Sequence, residues 1–252
     1  MQKRKAEGME RKRYRFLDNI RGITLLSMIV YHVVWDLVYI FGWDLKWYDS
    51  IVGYFWQQSI CWTFILLSGF CWCLGKRKLK RGVIVLGGGL LITVVTLLVM
   101  PENRVVFGVL TLLGSCMLLQ ILLEPIWNRC NRFAGLLCAF LLFLLLRNVN
   151  KGYLGIGELQ LLELPEGLYD NLFTTFLGFT EKGFFSTDYF SLLPWYFLFL
   201  TGYFLYHFLQ KKELLKKMPD IHLPPLEWLG KNSLILYLLH QPVVYGVLSL
   251  VM

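Results

Sequence analysis

The sequence predicts an all-α protein, a polytopic integral membrane bundle of about seven transmembrane helices with its N-terminus in the cytoplasm. Hydrophobic residues make up 56% of the chain and the mean hydropathy is +0.54, well above the values of ordinary soluble domains. Seven apolar runs approach or exceed the length that crosses a bilayer. The basic residues collect in alternate connectors between these runs, which is the positive-inside pattern.

The predicted spans are 17–41, 51–74, 82–100, 105–123, 133–146, 189–210 and 226–252. The fifth is short for roughly 30 Å of hydrocarbon. We treat residues 1–252 as a single domain that opens with a basic cytoplasmic tail at 1–16. Basic residues are also dense at 76–81 and 211–217, on the side assigned to the cytoplasm. This orientation explains the net charge of +8 without nucleic acid, and it predicts a multi-pass protein of a bacterial-type plasma membrane.

Residues 148–188 form a long extracytoplasmic connector in this topology. Its length favours a functional loop, and its aromatic content argues against disorder. We expect it to fold over the outer end of a cavity. A passive tether is the simpler alternative.

The first span carries a stripe of polar residues. Arg21 and His32 are eleven positions apart, which is three helical turns plus about 20°. Asp18 and Asp36 lie one turn outside this pair, on the same face. Asp18 and Arg21 are also compatible with an ordinary interfacial position. His32 is too deep for that explanation, because it lies about 22 Å along the helix at 1.5 Å per residue.

Further polar residues are predicted at the depth of His32. His240 and Gln241 lie in the last span, which also contains Asn232, and Asp188 opens the sixth span shortly before Trp195. We expect His240, Asp188, Trp195, Asn232 and Gln241 to shape a pocket in the outer half of the membrane. A histidine satisfied within the helix core is the alternative for His240.

This spacing suggests a transfer reaction. Arg21, held by Asp18, could grip the phosphates of a cytoplasmic acyl donor. A thioester arm could span the roughly 16 Å between Arg21 and His32. Paired with Asp36, His32 could deprotonate an acceptor hydroxyl or amine, or relay the acyl group. The six cysteines have no zinc-binding spacing and are read as small apolar residues, so no metal is expected.

The segment LDNIRGITLLSMIVYHVVWDL resembles the opening span of two related groups of membrane acyltransferases. The bacterial enzymes that O-acetylate surface polysaccharides share the Arg-x10-His spacing. The heparan-alpha-glucosaminide N-acetyltransferase catalytic-domain family is similar over more of the chain. It shares the Asp-x-x-Arg-Gly start, FGVLTLLG, the block DYFSLLPW and the closing LGKNSLILYLLHQP.

The resemblance implies an acetyltransferase that moves an acetyl group from cytoplasmic acetyl-CoA to a sugar hydroxyl or amine on the far side. The predicted catalytic residues are then His32, Asp36 and His240, and the expected partners are membrane lipid, acyl-CoA and a glycan acceptor. A homo-oligomer is compatible with the sequence. Two alternatives remain at this point: a proton-coupled transporter or flippase that uses the same His and Asp residues, and a non-catalytic membrane subunit.

Overall fold

A computed structural model describes residues 14–252, and it is an all-α bundle with one small hairpin. The basic tail predicted at 1–16 lies outside the described residues except for its last three. The long helices are α1 (Arg15–Tyr39), α2 (Ile51–Trp72), α3 (Lys78–Val99), α4 (Val109–Trp127), α5 (Arg132–Leu146), α7 (Leu192–Lys211) and α9 (Ser233–Val251). The short helices are α6 (Leu172–Leu177) and α8 (Pro224–Lys231).

Six of the described helices are long and apolar enough to cross a membrane, which confirms the predicted fold class. The predicted second span, α2, is not among the six. Gln57, Gln58 and Ser59 in its first half lower its hydropathy. It nevertheless packs on α7 and α1, and its glutamines face protein groups: Gln58 accepts a hydrogen bond from Arg147, and Gln57 lines a cavity.

The seven long helices run up and down through the bundle. Side-chain contacts join Cys73 to His207 and Lys78 to Glu124 at one end, and Gln58 to Arg147 at the other. The first end carries α8 and most of the basic connector residues, and we call it the basic end. The second carries residues 148–191, and we call it the loop end.

Small residues bring helices close together. Added methyl groups on Gly69 and Gly202 would clash with the backbone carbonyls of Phe199 and Leu66, so α2 and α7 touch backbone to backbone. In the run 87–89, predicted as a packing site, Gly89 contacts the backbone of α4 and Gly88 contacts Leu238. Gly87 has no neighbour within 4 Å of such a methyl group, so only part of the run packs.

The last predicted span is wrong in one respect, because 226–252 is two helices. The helix is interrupted at Asn232, where φ is −100° and ψ is 16°, and this residue joins α8 to α9. Asn232 is therefore a junction residue whose side chain bonds the Trp228 carbonyl at 2.9 Å, rather than a polar group inside a span. α8 lies across the first turns of α1, where Gly22 and Gly230 contact the opposing backbones.

The loop-end connector is ordered. Strands β1 (Tyr153–Ile156) and β2 (Leu159–Glu163) form an antiparallel hairpin, and α6 follows it. The buried Asn148 side chain bonds the Gly155 and Gly157 carbonyls and fixes the hairpin to the end of α5. Further along, the Phe190 amide donates to the Phe107 carbonyl at 2.9 Å, which ties the connector to the segment before α4.

Candidate active site

A cavity of about 560 Å³ runs through the bundle between α1, α2, α3, α4 and α9. Its wall includes Arg81 near the start of α3 and Thr96 near the end of that helix. Fifteen residues of helix separate the two, which corresponds to a length of about 22 Å. The cavity therefore extends along most of α3, from the basic end to the loop end.

Four cationic side chains surround the basic mouth of the cavity: Arg21, Arg77, Lys80 and Arg81. Only Arg21 was predicted as a site residue. The other three lie at the start of α3, in a basic run whose charge the positive-inside pattern already explains, so no separate signal marks them as site residues.

The guanidinium of Arg21 is held in a defined orientation. Its Nη1 donates to Asp18 Oδ1 and to the Gly230 carbonyl, both at 3.3 Å, and its Nη2 donates to Cys71 Sγ at 3.0 Å. The Asp18 side chain is only 9% exposed and does not line the cavity. Asp18 is thus placed to orient Arg21 rather than to touch a ligand.

His32 lies in the cavity wall about 16 Å along α1 from Arg21. Within residues 14–252 no group hydrogen-bonds its ring. The His240 ring lies beside it, with 4.7 Å between the ring centroids. His32 therefore presents free ring nitrogens to the cavity, next to a second imidazole.

The predicted pairing of His32 with Asp36 is replaced by a different contact. Asp36 is fully buried, and its Oδ1 accepts a hydrogen bond from Gln241 Nε2 at 2.6 Å. The crossing of α1 and α9 brings this amide to the carboxylate, and that crossing is not evident from local sequence. Gln241 lines the cavity, whereas Asp36 lies behind it.

The tautomer of His240 follows from its contact with Tyr237. His240 Nδ1 lies 2.6 Å from the Tyr237 carbonyl oxygen. Since a carbonyl oxygen only accepts, Nδ1 carries the proton. The neutral ring then has a lone pair on Nε2, which is buried and has no partner among the described residues. His240 is accordingly available as a hydrogen-bond acceptor close to His32.

Asp188 lines the loop end of the cavity with Gln57, Asn103 and Thr187. Asp188 was predicted to open the sixth span, but it lies before the first residue of α7. Its Oδ2 accepts a hydrogen bond at 3.0 Å from the backbone amide of Val109, the first residue of α4. Burial raises the pKa of Asp188 to about 6, and the Val109 hydrogen bond opposes that rise. The carboxyl group therefore titrates well above its ordinary range.

Three predicted pocket residues do not line the cavity: His240, which lies beside His32 behind the wall, Trp195 and Asn232. Trp195 packs in the core, with its ring centroid 5.4 Å from that of Phe143 and 5.0 Å from that of Phe190. Asn232 lies at the junction described above. The cavity wall instead includes Tyr31, Trp35 and Tyr237, aromatic residues that the sequence places equally well in an interfacial belt.

Comparisons with known proteins identify the family. No curated protein matches the chain, and no solved structure matches it. The family described as heparan-alpha-glucosaminide N-acetyltransferase, catalytic, matches residues 13–242, which include every residue that lines the cavity. The chain therefore belongs to the heparan-alpha-glucosaminide N-acetyltransferase catalytic-domain family of membrane acetyltransferases.

Proposed function

We propose that the protein transfers an acetyl group from cytoplasmic acetyl-CoA to a sugar hydroxyl or amine on the other side of a plasma membrane. The observation that carries this proposal is a continuous cavity that has cationic residues at one end, polar residues at the other and His32 in its wall between them. In this assignment the basic end faces the cytoplasm, in accord with the positive-inside pattern. The loop end faces the acceptor.

The donor site is the basic mouth. Coenzyme A carries several phosphate charges, and arginine binds phosphate through a planar pair of N–H donors. Arg21 is already oriented by Asp18 and the Gly230 carbonyl, so less side-chain freedom is lost on binding. Arg77, Lys80 and Arg81 add charge around the same opening.

The shape of the cavity suits an extended donor arm. The cavity extends about 22 Å along α3, which is long enough for an extended pantetheine chain while the nucleotide stays at the basic mouth. The apolar wall contributed by Met28, Ile60, Phe64 and Leu113 would contact that arm. With the phosphates at Arg21, the thioester carbon reaches the level of His32.

His32 would act as the general base. It takes the proton from the acceptor hydroxyl or amine as the oxygen or nitrogen attacks the thioester carbon. A new C–O or C–N bond forms, the C–S bond breaks, and the departing thiolate takes the proton back from the imidazolium. In a relay, His32 would instead accept the acetyl group first and pass it to the acceptor.

The remaining polar groups have supporting roles in this proposal. The lone pair on His240 Nε2 can accept a hydrogen bond from the His32 ring and steady its orientation. Asp36 fixes the Gln241 amide, which lines the cavity beside them. At the loop end, Asp188, Gln57 and Asn103 offer hydrogen-bond partners to sugar hydroxyl groups, and Trp35 offers an aromatic surface.

Ligand-induced thermal stabilisation tests the donor site. The purified protein should be stabilised by coenzyme A and by acetyl-CoA, by about 2.7 kcal/mol at 100 times the dissociation constant. Arg21→Gln should remove most of that stabilisation. Arg15→Gln is the matched control, because Arg15 lies on the same helix with its side chain 46% exposed and pairs only loosely with Asp220 at 3.9 Å.

A wild-type protein that gains no stability from millimolar coenzyme A or acetyl-CoA would contradict the proposal. That result would favour a transporter, in which the buried histidines and carboxylates conduct protons.

A further inference from the structure

A second cationic site lies at the loop end, outside the lining of the cavity. Arg147 follows the last residue of α5, and its guanidinium stands over three aromatic rings. The distances from its central carbon to the ring centroids are 5.4 Å for Trp62, 5.6 Å for Phe143 and 5.3 Å for Trp195. Arg147 does not line the cavity, and the proposed transfer reaction does not use it.

The hydrogen bonding of Arg147 is incomplete. Its Nη2 donates to Gln58 Oε1 at 2.9 Å and to the Tyr54 hydroxyl at 3.1 Å. Its Nη1 is buried and has no acceptor in the described part of the chain. No carboxylate of residues 14–252 forms an ion pair with it, in contrast to Arg21 with Asp18 and Lys78 with Glu124.

An arginine without a counter-ion is costly in this setting. A partly buried charge that lacks a partner loses hydration without regaining the energy through an ion pair. The aromatic faces beneath the guanidinium offset only part of that loss. The unused N–H donors still match an anion with several acceptor oxygens, and phosphate has this geometry.

The surroundings indicate where that phosphate comes from. Around Tyr54, the first turns of α2 expose Ile51 by 69%, Phe55 by 63% and Tyr54 itself by 48%. In a membrane-spanning bundle this apolar surface at a helix end faces lipid near the headgroups. Basic pockets between transmembrane helices bind anionic headgroups on the cytoplasmic or matrix side of other membrane proteins, and the same chemistry applies to an unpaired arginine at the loop end.

We propose that Arg147, Gln58 and Tyr54 form a binding site for the phosphate group of an anionic lipid in the leaflet at the loop end. The Tyr54 hydroxyl occupies a position on Nη2 that a phosphate oxygen would take. Rotation of this exposed side chain opens the guanidinium to the headgroup. The lipid would then act as the missing counter-ion and hold α2 and α5 together.

Lipid titrations in detergent test the site. Phosphatidylglycerol should raise the melting temperature of the wild-type protein and remain bound in native mass spectrometry. Phosphatidylcholine, whose phosphate is neutralised by choline, should bind with at least tenfold lower affinity. Inorganic phosphate should also bind with at least tenfold lower affinity than phosphatidylglycerol. Arg147→Gln should weaken phosphatidylglycerol binding by about tenfold or more, the loss expected for charge-assisted hydrogen bonds.

Arg104→Gln is the matched control. Arg104 also lies at the loop end, over the Phe185 ring at 5.5 Å, but its guanidinium bonds the Phe185 and Pro101 carbonyls. This variant should bind phosphatidylglycerol like the wild type. Stabilisation by coenzyme A should be unchanged in Arg147→Gln, so the lipid site can fail or succeed independently of the proposed transfer reaction.

A second variant keeps the test decisive if Arg147→Gln does not fold. Gln58→Glu places a carboxylate on Arg147 without changing the side-chain length, and it should raise the melting temperature without lipid while reducing the phosphatidylglycerol shift. The proposal is overturned if the wild type shows no preference for phosphatidylglycerol. It is also overturned if inorganic phosphate stabilises equally, or if neither variant changes lipid binding.

Discussion

His32 of α1 and His240 of α9 lie side by side, with their ring centroids 4.7 Å apart and their planes inclined by 58°. Opposite ends of the chain supply the two rings. Only His32 lines the cavity, whereas the contact of His240 with the Tyr237 carbonyl fixes its tautomer. This asymmetry assigns the two histidines different roles in the proposed reaction.

His32→Ala should therefore lower the rate of acetyl transfer by 10²–10⁴-fold, the usual contribution of a general base. Coenzyme A binding should stay near the wild-type level, because Arg21 lies about 16 Å away. His240→Ala should lower the rate by a smaller factor, because His240 is placed to steady the His32 ring and does not line the cavity. Rates at saturating acetyl-CoA and saturating acceptor compare the two variants. An active His32 variant alongside an inactive His240 variant would place the base on α9.

Asp188 should make stability depend on pH in a predictable direction. Burial raises its pKa from 3.8 to about 6, so between these values the folded protein keeps a proton that the unfolded chain has released. The resulting stabilisation is present below about pH 4 and is lost as the pH rises through about 6. Asp188→Asn cannot titrate and keeps an oxygen for the Val109 amide. The melting temperature of the variant relative to the wild type should therefore rise from about pH 4 to about pH 7. A constant difference would show that Asp188 does not titrate in this range.

The contact between α8 and α1 should control donor binding. A methyl group on Gly230 would clash with the Asp18 carbonyl, so Gly230→Ala should push α8 away from α1. We expect a loss of about 1–3 kcal/mol in stability, as for other overpacked sites, and a smaller shift with coenzyme A because the Gly230 carbonyl holds Arg21. Gly246→Ala is the control, since nothing lies within 4 Å of its added methyl group. Equal behaviour of the two variants would rule out a role for this contact.

Cysteine labelling with an impermeant reagent checks the orientation. Glu158, between the two strands of the hairpin, and Lys212, just after α7, are both exposed. In intact cells Glu158→Cys should be labelled, whereas Lys212→Cys should react only after permeabilisation. The opposite pattern would put the basic mouth on the wrong side for a cytoplasmic donor.

Much of the bundle could be predicted from the sequence because apolar length and charge asymmetry are local properties. The positions of α1 and α5 agree with the predicted spans to within two residues at each end. The break at Asn232 was missed because apolar residues continue on both sides of it. The run Gly-Lys-Asn-Ser spans the end of α8 and the first residue of α9, and its Gly, Asn and Ser residues, which weaken a helix, are the local signal for this break.

The site was less predictable because its contacts join distant segments. The spacing of Arg21 and His32 places both on one helix face, and both line the cavity. The bond from Gln241 to Asp36 depends on how α1 and α9 cross, and the Val109 partner of Asp188 depends on the packing of the connector against α4. Neither of these long-range contacts leaves a periodic pattern in the sequence.

Sided transfer in proteoliposomes tests the central claim most directly. Acetyl-CoA, which does not cross the bilayer, would be added outside vesicles that contain an amino sugar or neutral sugar acceptor and protein of known orientation. We predict acetylated sugar inside only those vesicles whose protein has its basic end facing outward, and no product with His32→Ala. Product that forms only when donor and acceptor are on the same side, or equally in both orientations, would contradict transfer through the cavity.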